Sequence, residues 1–332
     1  MKTINGLKVF LPLLLALWVL AATTQANAGR AQTAATGPAT SPKIALILSG
    51  EEPLYRSALQ ALSNSLSPST QITSYSVNSW QRLSADQAVA DHDFAIAVGA
   101  LATETLLQTP VHLPLLSLLV PSSSFKDLVQ RYPQARARIA AGQFTAIYMD
   151  QPALRQLNLA RLIAPQLDSV GTMYDSASTP LVESMHAAAA QMQLKFQSHL
   201  LQKDDNPLAA LRQLYRDIDV FIAVPGKYIF NRPIAKWMLY LSFRKKKPLL
   251  GFSADYVRAG ALAAVFSSPE DVAEQASEWL QSYTRQQRFT STPDHPAYFS
   301  VLVNREVAEL LNLELPTEAL LEMELGQRER EF

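Results

Sequence analysis

The sequence predicts an α/β fold of doubly wound, mostly parallel sheets, and three observations predict it. Short continuous apolar runs recur, among them Ile-Ala-Leu-Ile-Leu at 44–48, Phe-Ala-Ile-Ala-Val at 94–98 and Leu-Leu-Ser-Leu-Leu at 115–119. Runs of this length suit strands buried on both faces. Segments with helical or loop character separate them, and that alternation favours a parallel sheet with helices on both sides. The runs end in Gly, Ser, Asp or Pro, residues suited to the loops where open α/β sheets bind ligands.

In chain order, Lys2 and Lys8, an apolar run at 9–22 and Ala26-Asn27-Ala28 form a secretory signal with cleavage expected after Ala28. The alternative is an uncleaved anchor, but the run is shorter than the roughly 20 residues a spanning helix needs. Residues 29–42 are rich in Ala, Thr, Gly and Pro with one charge, Arg30, and read as a disordered tether. After the strand at 44–48, Pro53 suits a first helical turn. The helix it opens places Leu54, Ala58, Leu62 and Leu66 on one stripe and Arg56, Gln60 and Asn64 toward water. Strands are expected at 72–77, 94–98, 115–119 and 146–149, and again at 169–174, 218–225 and 248–253. An alanine-rich helix through Met185 and Met192 follows the strand at 169–174. A helix at 269–284 carries Val272, Ala276, Trp279 and Tyr283 on one face, and a strand at 298–303 follows. Beyond Pro316 the chain is acidic and helix-prone, and a frayed terminal helix is expected. Met173, Met185, Met192, Trp237 and Met238 read as core, and Trp80 as a residue of a cleft rim.

Composition excludes several function classes. Lys and Arg together number 29, as do Asp and Glu, and the two lysines lost with the signal leave a net charge of −2, a balance that argues against nucleic acid. The one dense basic run, Arg244 to Lys247, reads as a solvated loop, with docking to a membrane-bound partner as the alternative. With no cysteine there is no thiol to acylate, no disulfide and no thiolate nucleophile or ligand. The mature chain is therefore expected to float free and not to be a lipoprotein. The histidines His92, His112, His186, His199 and His295 lack the i, i+4 spacing of a zinc helix. No Gly-x-Ser-x-Gly elbow and no phosphate-binding Walker loop is present. Neither catalysis, a metal nor a cofactor is expected.

One ordered set of motifs carries a family resemblance. A strand ends in Tyr174-Asp175, a second in Val224-Pro225 and a third in Phe252-Ser253. Arg258-Ala-Gly-Ala-Leu-Ala263 and Val303-Asn-Arg-Glu-Val-Ala-Glu-Leu-Leu-Asn-Leu313 come after them. Over roughly residues 43–316 this order resembles the substrate-binding proteins of ABC importers, whose corresponding strands end in Tyr-Asn-Pro, Val-Pro and Ala-Ser. The resemblance implies two doubly wound parallel-sheet lobes joined by a hinge, the periplasmic binding protein type I arrangement. It divides the chain into a first lobe of 43–145 and 267–292, a second of 146–266 and 293–316, and an acidic tail at 317–332. It also implies an ABC permease in the inner membrane as partner and the periplasm as location.

Candidate ligand-binding residues follow from the rule that open parallel sheets bind ligands beyond the carboxyl ends of their strands. In the first lobe these are Ser49, Gly50 and Glu51, Gly99 with Thr103, and Ser122. In the second they are Tyr174 and Asp175, Lys227 and Tyr228, and Ser253 and Asp255. Each has a structural alternative: glycine for a tight turn, hydroxyl or carboxylate as helix cap, tyrosine as packing. Tyr174 and Asp255 match residues of the resembling family. Lys227-Tyr228 stands where that family has Asp-Asn; if this loop faces the cleft, a carboxylate-bearing ligand suits Lys227 better than the amino-acid-like ligand the resemblance implies, and the alternative is Lys227 reaching solvent with Tyr228 packed.

The reading is a monomeric periplasmic protein that captures a small organic ligand for an ABC importer. Its rival is a module of the same fold that binds another envelope protein.

Overall fold

The computed structural model describes residues 42–330 except Val111, Lys227, Tyr228, Phe230 and Asn231. The expected signal and its cleavage position lie outside the described residues, as does the tether up to residue 41.

The first sheet comprises β1 (Lys43–Leu48), β2 (Gln71–Ser76), β3 (Phe94–Val98), β4 (Leu115–Val120) and β5 (Phe144–Tyr148). All its pairings are parallel, in the order β2-β1-β3-β4-β5. The connecting helices are α1 (Pro53–Ser65), α2 (Val77–Trp80), α3 (Ala85–Asp91), α4 (Ala100–Gln108), α5 (Ser122–Arg131) and α6 (Pro133–Ala140). The period of two along a strand decides which layer each residue meets. Ile44, Leu46 and Leu48 of β1 and Phe94, Ile96 and Val98 of β3 pack against α1. Ala45 and Ile47, with Ala95 and Ala97, pack against α4, α5 and α6. A strand with apolar side chains on both faces has no solvated side, and this is why these runs are continuous in sequence.

The second sheet comprises β6 (Ser169–Tyr174), β7 (Lys195–Leu200), β8 (Val220–Ile222), β9 (Leu249–Gly251), β10 (Ala263–Phe266) and β11 (Ser300–Val303). Its order, β11-β10-β9-β8-β6-β7, repeats the winding of the first sheet and adds β11 antiparallel at the edge. Its helices are α7 (Ala153–Ile163), α8 (Thr179–Gln191), α9 (Pro207–Asp217), α10 (Arg232–Lys245), α11 (Ala254–Arg258), α12 (Pro269–Gln286), α13 (Arg305–Leu310) and α14 (Glu318–Glu329). Of these, α12 packs on the first sheet's core, with Val272, Ala276 and Leu280 buried beside α1. The chain thus forms two α/β lobes, each around its own sheet.

Three segments cross between the sheets, and polar contacts tie them together. Gln151, after β5, donates to Ser267 Oγ at 2.9 Å, and Ser267, after β10, donates to the Tyr298 carbonyl at 2.6 Å. The buried Arg155 bonds Gln151 Oε1 at 2.6 Å and the Pro296 carbonyl at 2.9 Å, and pairs with Glu329 of α14. Its guanidinium also lies 4.0 Å from the centre of the Phe299 ring.

The first change of sheet follows Tyr148, through which β5 pairs with β4, and Asp294 still bonds Ala146 and Tyr148. Several expectations need correction. The terminal helix is docked rather than frayed: Leu321 and Leu325, one turn apart, are fully buried in the second core. Trp80 is buried, packed edge-on against Tyr75 with ring centres 5.4 Å apart. Trp237 is 41% exposed and Leu54 36% exposed, so neither is core. The expected core residues Met173, Met185, Met192 and Met238 are buried. Strand β7 was not anticipated, because its Lys-Phe-Gln-Ser-His-Leu sequence is half exposed and lacks an apolar run.

Candidate functional site

In each sheet the winding reverses beside its first strand, between β1 and β3 in one and between β6 and β8 in the other. Helices leave a doubly wound sheet on opposite faces at such a point, opening a crevice beyond the strand ends. The residues standing there are therefore set by topology before any side chain is considered.

In the first lobe, Ser49 follows β1 and Gly99 follows β3. Gly99 has φ +90° and ψ 170° and is the N-cap of α4. Only glycine takes that conformation freely. A methyl group at Gly99 would lie 2.6 Å from Ser49 Oγ and 2.9 Å from the Tyr55 hydroxyl, so the three residues converge. Ser49 Oγ accepts the Ala102 amide of α4 at 2.9 Å. The hydroxyl thus caps the helix from a different strand. Burial, and then the charge of Glu52, push the Tyr55 phenol above its ordinary range and keep it a neutral donor. Glu51 is exposed and Gly50 partly so. Thr103 is fully buried, bonding the Gly99 carbonyl at 2.9 Å and Ser117 at 3.0 Å; it supports the glycine and does not face the crevice.

Beside them, β4 ends in a bulge. Leu119 has φ +53°, and the register to β5 shifts between Leu118 and Val120. Bulges re-aim the chain and concentrate at functional edges. Here the bulge leads to Ser122, whose amide and hydroxyl both donate to Asp150 at 2.6 Å. Asp150 begins the crossing segment, and its carbonyl lies 2.8 Å from His295 Nδ1. A crevice loop of the first lobe is thereby fastened to the hinge.

In the second lobe, Asp175 follows β6 and is 1% exposed. Its carboxylate accepts the Ala177 amide at 3.1 Å and the Ile229 amide at 3.3 Å. Gly226, beyond β8, presses on it: an added methyl there would lie 2.7 Å from Asp175 Oδ2. Ser178 donates to the Pro225 carbonyl, joining the two loops again. Tyr174 is half-buried, with its packed side on the second core. Ser253 caps α11, accepting the Tyr256 amide at 3.3 Å. Asp255 is 91% exposed and pairs with Arg258 at 2.6 Å, so it points to solvent. Lys227 and Tyr228 lie outside the described residues.

The structure thus gathers Ser49, Gly99 and, unforeseen, Tyr55 at one switch point, and Asp175 with Gly226 at the other. The sequence signal for Tyr55 was its place in the first turn of the helix that leaves β1. Asp150 was missed because its partner Ser122 is 28 residues away. Among the described residues no three His, Cys, Asp or Glu side chains cluster to hold a metal, and no helix is long and apolar enough to cross a membrane. The chemistry on offer is hydrogen bonding from hydroxyls and helix amides on one side and a carboxylate with an aromatic ring on the other.

Comparison with known proteins agrees with this geometry. The sequence profile of the family described as ABC transporter substrate binding protein matches residues 79–323. A ligand-free, open substrate-binding protein with adhesive properties from Clostridium difficile has a similar fold, with a TM-score of 0.67 and 15% identity over 83% of this chain and 96% of that one. A protein from Streptococcus pneumonia, described as an ABC domain in complex with L-Trp, gives 0.56 and 15% over 85% and 98%. A conserved domain protein from Vibrio cholerae gives 0.58 and 17% over 85% and 98%. No curated protein matches the sequence.

Proposed function

The chain belongs to the ABC transporter substrate binding protein family, and from that premise we propose that it captures a small organic ligand between its two lobes and delivers it to an ABC permease in the inner membrane. The protein works in the periplasm in this reading, after loss of its signal, and does no covalent chemistry. The observation that carries it is the pairing of two switch-point crevices, Ser49–Gly99 and Asp175–Gly226, on lobes linked by three crossing segments. A ligand that touches both lobes binds the closed state better than the open one, and that difference drives closure.

The ligand class is amino-acid-like or carboxylate-bearing. The Ser49 hydroxyl, the Tyr55 phenol and the open first-turn amides of α4 suit a carboxylate, helped by the positive end of the α4 dipole. Tyr174 offers a ring face for an apolar or aromatic part, and the L-Trp held by the Streptococcus protein supports that choice. Lys227, next to Gly226 in sequence, would supply a cation for an acidic group.

The test is thermal unfolding of the protein against a panel of amino acids, organic acids, nucleosides and sugars. A ligand at 100 times its Kd adds about 2.7 kcal/mol, raising the midpoint by roughly 5–10 °C for lobes of this size. A shift of that size with an amino or carboxylic acid supports the reading. Absence of a shift across the whole panel contradicts it and favours the module that binds another envelope protein.

A further inference from the structure

Helix α10 presents a face that the fold leaves uncovered. Ile234, Met238 and Leu241 are buried against the second core, while Trp237, Tyr240 and Phe243 are 41%, 50% and 54% exposed. At roughly 100° per residue, Arg232, Phe243, Lys236, Tyr240, Pro233, Arg244 and Trp237 share an arc of roughly 140°. Trp237 and Tyr240 meet edge-on with ring centres 5.9 Å apart. They line a depression of about 450 Å³ with Arg232, Pro233 and Lys236.

Charge along α10 and the turn that follows it is one-sided. Residues 232–247 hold Arg232, Lys236, Arg244, Lys245, Lys246 and Lys247 and not one acid, in a chain whose formal charge is zero. Lys247 is occupied by the Ile218 carbonyl and Asp219. The other five cations have no acidic partner among the described residues, and all five are exposed.

We infer that this aromatic and basic face of α10 seats the protein on a bilayer surface rich in anionic phospholipid. Trp, Tyr and Phe sit at headgroup depth, and Lys and Arg stems reach past them to the phosphates. Clustered cations on one helix face are the electrostatic footprint of anionic lipid. A protein partner fits less well, because interfaces between proteins are depleted in lysine, and four of the six cations here are lysines. The inference does not depend on the identity of the ligand or on transport.

Brominated lipids quench tryptophan at headgroup and acyl depth, so the test reads Trp237 directly. Protein recovered from the producing cell is mixed with vesicles of phosphatidylcholine containing about a third brominated phosphatidylglycerol, and the Trp237→Phe variant supplies the background from Trp80 and Trp279 and, where the N-terminal segment is retained, Trp18. Expected results are quenching assigned to Trp237, its loss in 0.5 M salt, and at least about tenfold weaker partitioning for Arg244→Gln/Lys245→Gln/Lys246→Gln and for Trp237→Ala/Phe243→Ala. These side chains are exposed, and an unchanged unfolding midpoint for each variant keeps the comparison clean. A chain held to vesicles by its N-terminal apolar segment alone would leave Trp237 unquenched, which overturns the inference. So would equal partitioning to neutral vesicles, or a Trp237 response to polyglutamate but not to vesicles, which would assign the face to an acidic protein partner.

Discussion

The two switch points occupy equivalent places in two sheets of the same winding, yet they are built from different chemistry. At the first, a hydroxyl, a left-handed glycine and a phenol meet: Ser49, Gly99 and Tyr55. At the second, a buried carboxylate, Asp175, is held by backbone amides of its own loop and of the loop beyond β8. One is neutral and donor-rich, and the other is charged and already occupied by amides. The difference teaches that topology sets where a ligand can bind, while the residues at each strand end decide which part of it goes to which lobe.

Substitutions break this comparison by unequal amounts. Asp175→Ala is expected to cost the most, about 3 kcal/mol, because two amides lose a charged acceptor in a buried place; chemical denaturation measures it. Gly99→Ala forces an L-residue into a glycine conformation and crowds Ser49 and Tyr55, at about 2–3 kcal/mol. Rescue of Gly99→Ala by Ser49→Ala, in a double-mutant cycle, would show that the crowding is local. Asp150→Ala releases Ser122 from the hinge and should cost about 2 kcal/mol. Its ligand affinity should fall as well, whereas a purely structural role would leave the affinity unchanged.

A pH titration sharpens the comparison at the opposite end of the second sheet. Burial pushes the Asp219 carboxyl up, but the Ser169 hydroxyl, the amides of Asp168 and Ser169 and the Lys247 ammonium outweigh it, so its pKa is lowered. A carboxyl lowered in the folded state contributes stability above the ordinary carboxylate range and loses it as pH falls through the folded value. Asp219→Asn should therefore flatten the acid limb of the stability curve and leave the neutral region nearly parallel. The smallest effect belongs to Asp255→Ala. Its side chain is solvent-exposed and, among the described residues, paired only with Arg258, so stability should stay within about 0.5 kcal/mol.

Much of the fold was legible because buried parallel strands advertise themselves. The runs that became β1, β3 and β4 have side chains buried on both faces, and a short, continuous apolar stretch suits such a strand. Strand β7 was hidden because an edge strand alternates with water. Trp237 of α10 was misread as core because an exposed Trp is indistinguishable by spacing from a buried one. The site was legible as a set of strand ends, from the rule about carboxyl edges. What the sequence could not supply were partners distant in the chain, such as Asp150 with Ser122 or Arg155 with Glu329, since only the closed topology brings them together. Thr103 and Asp255 show the converse: residues of suitable chemistry at the right strand end, one fully buried and the other turned to solvent.

Closure of one switch point upon the other is the central claim, and the absence of cysteine makes it directly measurable. Lys126 of α5 and Glu183 of α8 are exposed residues near the crevice ends of helices on opposite lobes. With both replaced by spin-labelled cysteine, pulsed electron resonance reads the distance between lobes. Addition of the ligand that raises the unfolding midpoint should shorten and narrow that distribution by several ångströms, to a degree that follows saturation of the site. A distribution unchanged at saturating ligand would contradict capture between the lobes.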